Sequence, residues 1–133
     1  MDTAKTQISK FDLKALGRRL KNEPVWHEKK RNSFVLFKGE VRHVYLVAMH
    51  AVTFVPDHRT PCPVDIHVVE GRVRMVTDRE TVVLRDGDFA MLEAGTHFKL
   101  DSEVETLLIL EFFPSGLVHK ITGDEDDYFD NWV

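Results

Sequence analysis

Between residues 58 and 75 the chain reads HRTPCPVDIHVVEGRVRM, a stretch holding His58, His67 and the only cysteine, Cys62. Cys62 follows His58 closely enough for a thiol and an imidazole base to meet, which is the pairing a nucleophilic cysteine needs. No third group that would orient the base and no oxyanion device is visible nearby, and Pro61 and Pro63 on either side of Cys62 suggest a rigid turn instead. Imidazole and thiolate are also metal ligands, so the same residues could border a metal site or simply be polar groups of a pocket. Further on, LEAGTH brings Glu93 and His97 together around a glycine loop. His27, His43, His50 and His119 are scattered, the pattern of surface or satisfied core groups.

The elements that must position these residues are mainly strands. From Ser33 onward, short runs rich in Val, Phe, Leu and Thr (SFVLF, VRHVYLVAM, VDIHVVE, RVRMVT, ETVVLR, DFAML, HFKL, VETLLILEFF) alternate with turn residues at the spacing of a sandwich or barrel. Lys38-Gly39, Glu70-Gly71, Asp78-Arg79 and Asp86-Gly87 are the turns. Side chains alternate faces along a strand, so if Val64, Ile66 and Val68 point inward, Asp65 and His67 point outward. Before the strands, Leu13, Leu16 and Leu20 fall at helical spacing, with Asp12 as cap and Phe11 able to staple onto Leu16. Residues 22–32, NEPVWHEKKRN, read as a connector in which Pro24 stops the helix and Trp26 anchors the segment to the body.

Length and composition bound the rest. A chain of 133 residues suits one domain with one core. With 43% hydrophobic and 30% charged residues it has the balance of a soluble globular protein. A formal net charge of −4 excludes a general nucleic-acid binder, which needs a basic surface. A lone cysteine excludes an internal disulfide framework, and the first residues carry no signal-like apolar run. No stretch of about 18 consecutive apolar residues appears, so the expectation is a cytoplasmic protein with no membrane partner. The division expected is an N-terminal helix and connector over 1–32, a β-barrel over 33–118 and an acidic tail over 119–133, whose Tyr128, Phe129 and Trp132 could dock while its acids stay solvated.

The stretch from about Val41 to Phe112 resembles the cupin superfamily, specifically its small single-domain bacterial members. DHRTPCPVDIHVVEGRVRM is similar to the first cupin motif, ETVVLRDGDFAMLEAGTH to the second, and VETLLILEF to the closing strand, in the family's order. The resemblance implies an all-β fold, a double-stranded β-helix (jelly-roll barrel) behind the short N-terminal α-helix, commonly paired as a homodimer. VRHVYLVAM and the N-terminal helix are the surfaces expected to form that dimer.

Cupin metal sites use two histidines and a carboxylate of the first motif and one histidine of the second. Carried over, His58 and His97 fit, whereas Thr60 stands in place of the second histidine and Val64 in place of the glutamate. Glu93 takes the usual proline position, and the loop before His97 is one residue shorter than the commonest version, with His97 still expected to face inward. The implied site is therefore a divalent metal (Fe, Mn, Ni or Zn) on His58 and His97, helped by Thr60, Cys62, Glu93 or water, or a pocket of those same five residues holding a small molecule. The first function expected is a cupin that binds a small ligand in the barrel mouth without committed catalytic activity. The alternative is a metal-dependent enzyme of the dioxygenase or isomerase type using His58 and His97. A third reading fills the pocket with Phe98, Phe112 and Met91.

Overall fold

A computed structural model describes residues 7–59 and 61–114, with 56–58 described by backbone alone. Among the described residues two short helices, α1 (Leu13–Leu20) and α2 (Pro24–Lys29), precede nine strands: β1 (Arg31–Lys38), β2 (His43–Met49), β3 (Thr53–Arg59), β4 (Val64–Glu70), β5 (Arg72–Thr77), β6 (Thr81–Arg85), β7 (Phe89–Leu92), β8 (His97–Ser102) and β9 (Thr106–Phe112). They form a five-stranded sheet in the order β1-β2-β9-β4-β7 and a four-stranded sheet in the order β3-β8-β5-β6. Every pairing is antiparallel. This is the all-β body with a leading helix that the sequence pattern predicts, and the jelly roll that the cupin resemblance implies.

The core lies between the sheets because their strands alternate. Val64, Ile66 and Val68 of β4 are buried while Asp65 and His67 are not, as period two requires. They meet Tyr45, Val47 and Met49 of β2, Phe98 and Leu100 of β8, and Leu108, Leu110 and Phe112 of β9 in one cluster. Phe98 and Phe112 therefore fill the barrel, each 1% exposed, but Met91 does not: it lies on the outer face of β7, 74% exposed.

A second cluster joins the helices to the outer face of the larger sheet, where Leu20 and Trp26 pack on Leu46, Ala48 and Leu107. Asp12 caps α1, its carboxylate accepting from the Ala15 amide at 3.0 Å. Gly17 lets α1 approach β9, since a Cβ there would stand 2.9 Å from a Leu107 methyl. Trp26 does anchor the connector: it is buried and stacks on His50 with centroids 3.8 Å apart.

Three expectations are corrected and one strand is added. Residues 24–29 are helical, not a plain connector, because Pro24 sits in the first turn, where its missing N–H has no intrahelical partner to lose. Residues 53–59 form a strand that composition does not advertise, since Pro56 interrupts it; β3 is an edge strand, and the register shift between Val55 and His58 accommodates the break. The strand VRHVYLVAM cannot be a pairing edge, because β2 lies between β1 and β9 beneath the helices. The strands begin at Arg31 rather than Ser33. Residues 119–133, the expected acidic tail, lie outside the described residues.

Candidate functional site

Strand register gathers the turns that matter at one end of the barrel. Val64 pairs with Leu92 and Phe112, Arg59 with His97, and Thr77 with Phe98. The end of β3, the start of β4, the β5–β6 turn and the β7–β8 loop therefore share one rim.

β8 decides what points into the barrel. Its burial alternates, Phe98, Leu100 and Ser102 being buried while His97, Lys99 and Asp101 are partly exposed. His97 thus stands on the outer parity of the strand, which corrects the expectation that it faces inward. The inward position falls one residue later, on Phe98, which pairs with His58 across the ladder while His97 pairs with Arg59. Thr60 and the His58 side chain lie outside the described residues.

Cys62 is also displaced from its expected role at the rim. It is 0% exposed and packs in the core cluster that holds Val64 and Phe112. Among the described residues the donor set of a metal site does not fit: Val64 and Phe98 are apolar and buried at positions where a carboxylate and an imidazole would be needed, and Cys62 is walled off by the core. Among the described residues no group of three or more His, Cys, Asp or Glu side chains could hold a metal ion.

What the rim does bring together is Glu93 and His97. Both line an open cleft of about 510 Å³, whose other wall is Thr77, Asp78, Arg79 and Glu80. Each wall is folded by its own threonine. Thr96 donates from Oγ1 to the Glu93 carbonyl at 2.7 Å, and Gly95 takes a φ of +84° to close that loop. Thr77 Oγ1 accepts from the amides of Arg79 and Glu80 at 3.3 and 3.2 Å and so holds the opposite turn. The cleft offers carboxylates, a guanidinium, an imidazole and hydroxyls, which suits a small hydrogen-bonding molecule. Thr77, Asp78, Arg79 and Glu80 are contributors that the sequence pattern does not single out. Their placement depends on β5 pairing with β8, a neighbourhood with no local signature.

No protein-family model matches the sequence, and no curated protein does. Solved structures do resemble it. A cupin superfamily protein from Desulfitobacterium hafniense is 12% identical with a TM-score of 0.61, over 62% of this chain and 76% of that one. An RmlC-like cupin from Shewanella frigidimarina is 17% identical with a TM-score of 0.62, over 66% and 79%. Salicylate 1,2-dioxygenase from Pseudoaminobacter salicylatoxidans is 14% identical with a TM-score of 0.68, over 77% of this chain but 32% of that larger one. Together with the two antiparallel sheets and their order, these likenesses define the architecture: the chain has the cupin jelly-roll fold. Fold does not fix function, which must come from the site. No described helix is long and apolar enough to cross a membrane.

Proposed function

We propose that this cupin-fold protein binds a small polar molecule in the rim cleft, with Glu93 and His97 as its main polar contacts and Arg79 facing them. The observation that carries this reading is that Glu93 and His97 line one preformed cleft. His58 and Thr60 belong to the proposal by their place in the sequence on either side of Arg59, which pairs with His97. The packed interior, with Phe98, Phe112 and Cys62 buried, favours the rim over the barrel axis as the place a ligand sits. A ligand that binds only the folded state raises its stability by about 2.7 kcal/mol at a hundredfold excess over Kd. A thermal-shift screen of small polar metabolites on the wild type and on a Glu93→Ala/His97→Ala variant tests this. The expected hit stabilises the wild type and not the variant; equal stabilisation of both would overturn the reading.

The likeness to a dioxygenase motivates a second reading, a metal-dependent enzyme of dioxygenase or isomerase type holding Fe, Mn, Ni or Zn through His58 and His97. The outward parity of His97 weighs against it. Metal analysis of the purified protein beside a His58→Ala/His97→Ala variant separates the two, since stoichiometric metal lost in the variant would replace the first reading.

A cytoplasmic homodimer is part of the proposal. Its support is physical: β1 is a long edge strand carrying Val35, 44% exposed, and an unpaired edge of that kind is an aggregation hazard unless covered. The dimer surface accordingly moves one strand outward from β2 to β1.

A further inference from the structure

A second concavity lies outside the barrel, on the face of the five-stranded sheet that α1 leaves open. It measures about 450 Å³; Val44 and Ile109 are among its floor residues, and Phe11, Phe37 and Phe89 rise around it. The three rings are 40%, 47% and 55% exposed. Aromatic rings present a negative face, which attracts a cation placed over them.

The charges in the groove leave one carboxylate over. Arg42 reaches Glu111 at 3.4 Å and lies 5.4 Å from the centre of the Phe37 ring, so this guanidinium is already paired with one acid and one ring. Asp65 is the ladder partner of Glu111 and makes no side-chain hydrogen bond or ion pair among the described residues. Burial pushes its carboxyl above the usual carboxylate range. His67, two residues along β4, meets the edge of Phe89 with centroids 6.1 Å apart. A partly desolvated carboxylate with no ion-pair partner among the described residues, beside exposed rings, is stabilised by a cation that arrives to pair with it.

The geometry points to this groove as a binding site for an organic ammonium ion with an apolar body, its charge on Asp65 and its body against Phe37, Phe89 and Ile109. The volume lies within the range of small-molecule sites. A second copy of the chain is the weaker occupant, because a two-fold contact centred here would press Asp65 and Glu111 toward their own symmetry mates.

The test uses 2-phenylethylammonium and its uncharged analogue 2-phenylethanol as probes, titrated into the full chain at pH 7 and followed by NMR shifts of the β4 and β7 amides. The expected result is that the ammonium binds at least tenfold tighter than the alcohol. Asp65→Asn, a nearly isosteric change, should bring the two probes level, and Phe89→Ala should weaken both. Equal affinity of the probes in the wild type, or an ammonium affinity unchanged by Asp65→Asn, would overturn the inference. So would sedimentation showing a dimer that Phe89→Arg dissociates, because a partner chain would then occupy the groove. None of these outcomes depends on the rim cleft.

Discussion

His97 and Phe98 are neighbours in sequence but stand on opposite faces of β8, the histidine paired with Arg59 on the outside and the phenylalanine paired with His58 within the barrel ladder. Truncating the two should therefore have opposite consequences. Phe98→Ala removes a fully buried ring and is expected to cost about 3–5 kcal/mol, whereas His97→Ala should stay within about 0.5 kcal/mol of the wild type. Urea unfolding of both variants checks this, and a large loss for His97→Ala would mean that the imidazole is structural.

Gly71 joins β4 to β5 with a φ of +112°. A Cβ there would stand 2.5 Å from Thr106 Oγ1 and 2.6 Å from the Glu105 carbonyl oxygen. Gly71→Ala combines backbone strain of about 1–3 kcal/mol with that collision. A loss of at least about 2 kcal/mol in chemical unfolding is the expected outcome.

Asp65 gives a pH dependence with a definite sign. Its carboxyl is raised by desolvation, so between the ordinary carboxylate range and the raised value the folded state holds a proton that the unfolded chain has released. Stability from this group therefore falls as pH rises through that window and stays lower above it. Glu111, Arg42 and His67 face the same groove. Unfolding midpoints of the wild type and Asp65→Asn, compared from pH 3.5 to pH 7, should diverge in favour of the variant as pH rises. A constant difference would refute the assignment.

Edge pairing through β1 predicts that Val35→Pro, which removes an amide donor and stiffens the edge, yields a folded monomer. Sedimentation equilibrium at micromolar concentration reads the mass directly. A wild type that is already monomeric there would dismiss the dimer.

How far the sequence speaks depends on whether the signal is local. The inward line Val64, Ile66 and Val68 follows from alternation alone, and so does the cap at Asp12. The same alternation in HFKLDS sets Phe98 and Leu100 apart from His97, Lys99 and Asp101, and it outweighs counting residues from Gly95 across a loop. β3 is obscured by Pro56, which only an edge position tolerates, and edge status is a property of the assembled sheet. The cleft wall from Thr77 to Glu80 and the groove beside Asp65 arise from pairings between distant strands, for which a single sequence carries no mark.

The contact of Gly17 with Leu107 also sets an order of events. The first helix of the chain rests on its last described strand, and Lys21 reaches Glu105 beside them at 2.8 Å. A ribosome releases α1 long before β9 exists, so the helix, too short to be stable alone, has only the β1 and β2 part of its floor until β9 joins β2 and β4. Docking so late should leave little trace in the folding transition state. Leu16→Ala is then expected to hasten unfolding while barely slowing refolding, and equal effects on both limbs of the chevron would place α1 in the nucleus.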